Sequence, residues 1–177
     1  MGTCDFVRVV PFGILLLIGT VGRVGTITIM QISPITLSYV QMIPQDRQWF
    51  KHNPASPEAI KALRKAAGVE LPAEYFGLLA YSNGGEGPLA LSPWNLCLDS
   101  AEEVTSDIEN KTFEEFFSGF VVFGGNCGAK LIAFDIRGNK PWPIVSIDVT
   151  NIHLAENAEI IAKDFVLFLA SVGVVNT

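Results

Sequence analysis

The residue types that most often act as nucleophiles and general bases are few in this sequence. The histidines and cysteines are His52, His153, Cys4, Cys97 and Cys127. A nucleophilic Cys127 would need His153 within hydrogen-bond reach and a third group, such as Asp148, to orient the imidazole. Nothing in their spacing requires these side chains to meet. A small enzyme that uses Cys127 or Glu86 is therefore kept only as an alternative.

The same scarcity argues against a metal or a phosphate site. Metal sites need several ligands at fixed spacing, and the chain contains no Cys-x-x-Cys pair. The glycine-rich segments 84–87 and 124–128 lack the Lys-Ser/Thr pair of a phosphate-binding loop. We therefore expect no metal and no cofactor. The sparse cysteines favour small buried hydrophobic side chains over a disulfide framework.

Acidic and aromatic side chains are better candidates, because they are suited to contact with another protein. Residues 99–115 contain seven acids and one lysine, which is typical of a solvated helix face or of a docking surface for a basic partner. Tryptophan is common both in cores and at interface hot spots, and Trp142, which lies between two prolines, is expected to be partly exposed. The candidate partner-binding residues are Glu86, Trp94, Asp99, Glu102, Glu103, Asp107 and Trp142.

The charge balance excludes one large class of partner. The 177-residue chain has a formal net charge of -6 and a pI of about 4.8, whereas nucleic-acid binding requires clustered Lys and Arg. The length fits one domain with an extension. A domain of this size buries a sizeable core without covalent staples. We therefore expect a protein partner and no nucleic acid.

Residues 1–41 differ sharply from residues 42–177. The first segment has three charged residues, whereas the second has ten basic and seventeen acidic ones. The apolar run 9–18 suits a secretory signal or an anchor, but no cleavage site follows it. Alternating apolar and polar residues between positions 26 and 39 suit a β-hairpin, and a true start at Met30 or Met42 is a further alternative. Membrane contact is expected only if the first segment is retained as an anchor.

Capping residues predict the helices of residues 42–177. The predicted helices begin at Ser56, Pro72, Ser100, Thr112 and Asn157, which are N-capping residues or N-terminal prolines. Gly68 is expected to end the first helix in a left-handed conformation. Residues 82–85 are expected to end the second helix in a turn that residues 86–88 extend. The last helix is expected to carry Ile161, Phe165 and Phe168 on one face.

Short β-prone segments separated by turns predict an antiparallel sheet. The predicted strands are residues 89–91, 94–98, 120–123, 131–136 and 143–148. A glycine-rich turn at 124–128 joins two of them, as expected in a meander. Helices lie on both sides of these strands in sequence, so the predicted fold class is α+β and not an alternating βαβ arrangement.

Three motifs occur in a distinctive order. They are Leu71-Pro72-x-Glu74-Tyr75-x-x-Leu78-Leu79-x-x-Ser82-Asn83-Gly84-Gly85-Glu86-Gly87, then Val122-Phe123-Gly124-Gly125-Asn126-Cys127-Gly128 with Ala133-Phe134-Asp135, and finally Ile161-Ala162-x-x-Phe165-x-x-Phe168-Leu169. Together they resemble the SUKH superfamily, which contains Smi/Knr-like proteins of fungi and many bacterial immunity proteins. The expected structural motif residues are Pro72, Tyr75, Ser82, Asn83, Gly84, Gly85, Gly124, Gly125, Gly128, Asp135, Phe165 and Phe168.

The resemblance implies a curved antiparallel sheet of about four to six strands, with an N-terminal helical hairpin and a C-terminal helix packed on it. It also implies action by binding, without a catalytic residue. Bacterial members commonly neutralise toxins, often nucleases, and fungal members act as regulatory scaffolds. A cytoplasmic immunity-type protein that occludes a toxin is the leading hypothesis, and a scaffold is the alternative. Residues 126–130 depart from the family's more Gly/Asp-rich turn, which leaves the partner open. No oligomeric state is predicted.

Overall fold

The computed structural model describes residues 43–44, 46–150 and 158–175. The predicted hairpin or anchor within residues 1–41, and with it Cys4, lies outside the described residues, as do His153 and the predicted helix cap Asn157. In chain order the described elements are β1 (Phe50–Lys51), α1 (Pro57–Ala66), α2 (Ala73–Tyr81), β2 (Gly85–Pro88), β3 (Asn95–Leu98), α3 (Ala101–Asn110), β4 (Phe120–Gly125), β5 (Lys130–Asp135), β6 (Ile144–Asp148), β7 (Glu159–Ala162) and α4 (Phe165–Ser171).

All seven strands form one antiparallel sheet in the order β1-β2-β3-β4-β5-β6-β7. The predicted α+β class is confirmed, and the sheet is a meander in which each strand pairs with its neighbour in sequence. Gly85–Pro88 was predicted as a turn, and that was wrong. Gly85 and Glu86 pair with β1 on one side and with β3 on the other. The turn between β2 and β3 comes later, where the Leu89 N–H donates to the Trp94 carbonyl.

Local capping explains the first and third helices as predicted. The Ser56 hydroxyl accepts a hydrogen bond from the Ala59 N–H at the start of α1. Gly68 follows α1 with φ +63°, the left-handed conformation expected there. At α3, the Ser100 hydroxyl and the Glu103 carboxylate satisfy each other's backbone N–H groups in a capping box.

Two helix predictions were wrong. Residues 111–116 form turns, because Lys111 adopts a left-handed conformation and the Thr112 N–H donates to the carbonyl of Asp107 at the end of α3. The closing helix begins after Asp164, whose carboxylate accepts from the Leu167 N–H, and Ile161 lies in β7 instead. The predicted strand 89–91 is reduced to a single bridge between Leu89 and Val172.

The main hydrophobic core lies between one face of the sheet and the helices. Its centre contains five aromatic rings that are no more than 1% exposed, with ring centroids 4.7–5.8 Å apart. These rings belong to Tyr75, Phe123, Phe134, Phe165 and Phe168. A smaller core on the opposite face contains Phe117, Phe120, Val122, Ala133, Val145 and Ile147. Strands β4 to β6 are therefore covered on both faces.

The segment that follows α2 is fixed by Ser82, which is fully buried. Its hydroxyl donates to the Gly84 carbonyl and accepts from the Trp49 indole N–H and the His52 backbone N–H. Gly85 has φ +124°, and a Cβ there would lie 2.6 Å from the Phe50 carbonyl oxygen. This motif therefore holds β1 against β2. Within the described part of the chain, no helix is long and apolar enough to cross a membrane.

Candidate binding site: an acidic groove beside a cysteine pair

Alternation along β3 separates core residues from candidate site residues. Leu96 and Leu98 point into the main core and are at most 5% exposed. Cys97 and, just beyond the strand, Asp99 fall on the opposite face, as period-2 alternation requires. Glu86 of β2 pairs directly with Cys97, and Cys97 pairs with Gly125 of β4. The side chains of Glu86 and Cys97 therefore lie next to each other on one surface of the sheet.

These side chains border an open groove of about 450 Å³ between α3 and strands β3 to β5. We call it the acidic groove, and its polar lining residues include Cys97, Asp99, Glu103, Asp107, Cys127 and Lys130. Val122 and Leu131 supply apolar lining. Gly124 permits close packing of β3 against β4, because a Cβ there would collide with the Cys97 carbonyl oxygen.

Asp99 is partly buried in the acidic groove and lies close to two other acids. Partial burial raises the pKa of the Asp99 carboxyl to about 6, and the negative charges of Glu103 and Asp107 add to the effect. Lys130 also lines the groove, but its ammonium lies 3.8 Å from the carboxylate of Glu159. The groove therefore presents three converging acids and one lysine that is already paired.

Two of the predicted binding acids have structural partners. The Glu103 carboxylate accepts from the Ser100 N–H at 2.8 Å, and the Glu102 carboxylate accepts from the Asn83 amide at 2.7 Å. The Asn83 side-chain oxygen also accepts from the Ala101 N–H at 2.7 Å. Asn83 thus joins the end of α2 to the start of α3, which fixes the wall of the acidic groove.

Cys97 and Cys127 are paired as a disulfide, with Cα atoms 5.6 Å apart. Cys97 is half-buried and Cys127 is exposed. The expectation that they are separate buried hydrophobic side chains was therefore wrong, because the β3–β4 register brings together residues that are 30 positions apart. The Glu86 carboxylate lies 3.7 Å from the Cys127 sulfur and 3.9 Å from the Cys97 sulfur.

The turn that carries Cys127 is held by a side chain. The Asn126 side-chain oxygen accepts from the N–H groups of Gly128 and Lys130 at 3.0 Å each. Cys127 itself takes the left-handed conformation, with φ +58°. The turn predicted at 124–128 is thus shifted, because Gly124 and Gly125 belong to β4 and only the later residues turn.

The remaining predicted site residues lie away from the groove lining. Trp94, at the turn before β3, is 60% exposed, whereas Trp142 is 7% exposed and packs in the main core. The expected partial exposure of Trp142 was therefore wrong, and Trp142 offers a partner little surface. Asp135 binds the Arg137 guanidinium at 2.7 Å, which lowers the pKa of its carboxyl.

The structure thus brings together Asp99, Glu103 and Asp107, and places Glu86 near them through the cysteine pair. Glu102 and Trp94 are exposed but do not line the groove. The cluster of Glu86, Cys97 and Cys127 was not predicted from the sequence. A correct β2–β3–β4 register would have revealed it, since the residue opposite Glu86 is Cys97.

A known protein family matches most of the chain. The model of the SMI1 / KNR4 family (SUKH-1) matches residues 54–171. This segment runs from just before α1 to the end of α4, and it contains the three motifs and the acidic groove. No curated protein matches the chain.

Proposed function

Because the chain belongs to the SMI1 / KNR4 family (SUKH-1), we propose that it is an immunity-type protein that binds a basic toxin and neutralises it by occlusion. The family is associated with protein–protein interaction and is generally non-catalytic. The proposed contact surface is the acidic groove, and the proposed ligand groups are Lys or Arg side chains of the toxin. The proposed location is the cytoplasm.

The observation that carries this proposal is the convergence of three carboxylates on one groove, without a matching number of cations among the described residues that line it. Asp99 has lost part of its hydration and is repelled by Glu103 and Asp107. A Lys or Arg side chain of a partner would supply the missing opposite charge at this position. Charge-assisted hydrogen bonds to a guanidinium are among the stronger polar contacts that proteins make.

The acids of the groove are expected to contribute in two different ways. Glu103 lines the groove and is exposed, and at such a position charge mainly accelerates encounter and is screened by salt. Asp99 is half-buried, and a contact there would be desolvated on binding, so its loss is expected to raise the dissociation rate. The two effects are separable by kinetics.

The proposal is tested with the full chain and a toxin encoded beside its gene. Cells that express the toxin are expected to grow when the wild-type protein is co-expressed, and to stop growing with the Asp99→Asn/Asp107→Asn variant. Affinity measured by surface plasmon resonance should fall by on the order of 100-fold, because a close charge pair is lost. The matched control, Glu109→Gln/Glu115→Gln, removes the same charge from exposed positions outside the groove.

The outcomes separate the alternatives. Loss of protection in the groove variant but not in the control supports a toxin bound at the groove. Equal loss in both variants would contradict the groove as the contact site, and no protection by the wild type would contradict the immunity role. Isolation of an endogenous signalling protein that binds through the groove would favour the regulatory scaffold instead.

A catalytic role for Cys127 has less support. In the structure its sulfur is joined to Cys97, so it is not a free nucleophile in this state. The histidine considered with it, His153, lies outside the described residues. An activity that survives Cys127→Ala would exclude this form of catalysis.

A further inference from the structure

Glu86, Cys97 and Cys127 place one carboxylate oxygen and two sulfurs within 4.8 Å of one another. We propose that the reduced protein binds a zinc ion at these three side chains, and that zinc binding and the disulfide are mutually exclusive states of one site. This inference is independent of the toxin-binding proposal, since it depends only on the arrangement of the three ligands.

The distances already suit a tetrahedral ion. A zinc ion bound at about 2.3 Å to sulfur and about 2.1 Å to oxygen separates those two ligand atoms by about 3.6 Å. The Glu86 oxygen lies 3.7 Å from one sulfur and 3.9 Å from the other. Only the two sulfurs must separate, and Cys127 lies on an exposed turn where it can move.

The ligands come from a rigid part of the fold. Glu86 and Cys97 are directly paired residues of β2 and β3, so their side chains project from the same face. Cys127 follows Gly125, which pairs with Cys97, and the Asn126 side chain holds the turn between them. Backbone pairing therefore fixes the strand positions that carry Glu86 and Cys97, whereas the turn that carries Cys127 is held by the Asn126 side chain.

One neighbouring side chain, Asn95, is placed to stabilise metal-bound thiolates. The Asn95 amide nitrogen lies 3.6 Å from the Cys97 sulfur and 3.7 Å from the Cys127 sulfur. N–H groups directed at metal-bound sulfur stabilise its negative charge and orient the ligand. Three protein ligands leave the fourth position of a tetrahedral ion open to water. Since Cys97 and Cys127 also line the acidic groove, the ion would lie at its boundary.

The two states are connected by a balanced exchange. Two molecules of a small thiol reduce the protein disulfide. They donate two electrons and two protons, so that Cys97 and Cys127 become thiols, and the reductant becomes a disulfide. Zinc then displaces both thiol protons to solvent and is held by two thiolates and one carboxylate, which gives the occupied site a net charge of about -1.

The test uses the full chain with Cys4→Ser in every variant, so that only the paired cysteines are counted. The protein is reduced with a small thiol, desalted under nitrogen and titrated with Zn²⁺ against a chromophoric competitor. Cd²⁺ is titrated in parallel, because its bonds to thiolates give an ultraviolet charge-transfer band. One ion per chain is expected for the reduced protein, and none for the disulfide form.

Variants identify the ligands. Cys97→Ser is expected to abolish the charge-transfer band, and Glu86→Gln to weaken zinc binding by about 10- to 100-fold or more. Glu109→Gln, an exposed acid outside the cluster, is the matched control and should bind like the parent. Circular dichroism establishes that each variant is folded.

Binding by the disulfide form, or equal affinity in Cys97→Ser and the parent, would overturn the site. Unchanged affinity in Glu86→Gln would show that the carboxylate is not a ligand, and would overturn it as well. The reduced parent protein needs no substitution in the cluster, so its failure to bind zinc while folded contradicts the proposal directly.

Discussion

The aromatic core and the acidic groove lie on opposite sides of the same strands and satisfy opposite requirements. In the core, five rings pack edge to face or tilted, and each is at most 1% exposed. In the groove, three carboxylates converge, and partial burial together with the charges of Glu103 and Asp107 raises the pKa of the Asp99 carboxyl to about 6. The first arrangement lowers the free energy of the folded state, whereas the second raises it. The difference separates residues that build the fold from residues available for a partner.

The three sequence motifs contribute mainly to the core and the sheet edge, although Val122 and Cys127 of the second motif also line the groove. Tyr75, Phe165 and Phe168 enter the core, and Ser82 and Gly85 fix the sheet edge. The groove acids Asp99, Glu103 and Asp107 belong to none of the motifs. A family resemblance based on these motifs therefore predicts the fold well and the binding surface poorly.

The largest effect is expected from truncating the centre of the core. Phe123 is fully buried and lies 4.7–5.8 Å from four other rings. Phe123→Ala is expected to lower the free energy of unfolding by about 3–5 kcal/mol, since it removes buried area and leaves a cavity. Denaturant unfolding followed by circular dichroism measures the change.

The control for the core truncation is Phe116→Ala. Phe116 is 51% exposed, so its truncation should change stability by about 0.5 kcal/mol or less. A similar loss in both variants would contradict the distinction between a core that carries stability and a surface that does not.

The second-largest effect is expected in the groove, where substitution of Asp99 should increase the free energy of unfolding. Burial and two neighbouring acids raise the pKa of Asp99 to about 6, above its unfolded value of 3.8. The folded protein therefore binds this proton more tightly than the unfolded chain does, and stability falls as pH rises from about 4 to about 6. Asp99→Asn should raise the free energy of unfolding at pH 7 by about 1 kcal/mol, less than the full shift implies because the carboxylate is partly solvated.

The sign of the pH dependence makes this prediction specific. The gain should shrink as the pH falls from about 6, and should approach zero only below about pH 4, where the Asp99 carboxyl is protonated in both the folded and the unfolded protein. The charged groups around Asp99 are Glu103, Asp107 and, across the groove, Lys130. Thermal unfolding of both proteins at pH 4 and pH 7 measures the effect. A loss of stability at pH 7 would show that Asp99 is paired and not repelled.

The sequence predicted most of the fold because its elements depend on local features. The Ser56 and Ser100 caps, the left-handed Gly68 and the β-prone runs 120–123 and 131–136 all act within a few residues. The failed prediction at Thr112 has a clear reason. A capping pattern cannot show that the preceding helix has already used the Thr112 N–H as part of its own end.

The site was predicted less completely because it depends on strand register. The acids of residues 99–115 were recognised, but which of them face the groove follows from the packing of α3 against the sheet. The proximity of Glu86, Cys97 and Cys127 requires two correct strand pairings. Composition suggested three unrelated cysteines, and the burial of Trp142 likewise depends on contacts far away in sequence.

The smallest effect on stability is expected at Tyr75, a core residue that buries a polar group, as Asp99 does in the groove. The Tyr75 hydroxyl is buried and has no hydrogen-bond partner among the described residues. Burial raises the pKa of this phenol, and the nearby charge of Asp99 adds to the shift. Tyr75→Phe removes the unsatisfied hydroxyl and keeps the ring, so the free energy of unfolding should stay constant or rise by up to about 1 kcal/mol.

Tyr81→Phe is the control, because Tyr81 is half-buried and its ring already contacts the Lys51 ammonium at 4.0 Å from the centroid. Equilibrium denaturation at pH 7 compares the two. If Tyr75→Phe instead lowered the free energy of unfolding by more than about 1 kcal/mol, the Tyr75 hydroxyl would have a hydrogen-bond partner in the folded protein. If the free energy of unfolding rises in Tyr75→Phe, Tyr75 is the core residue that is coupled to the groove, because its buried hydroxyl and the Asp99 charge act on each other across β3.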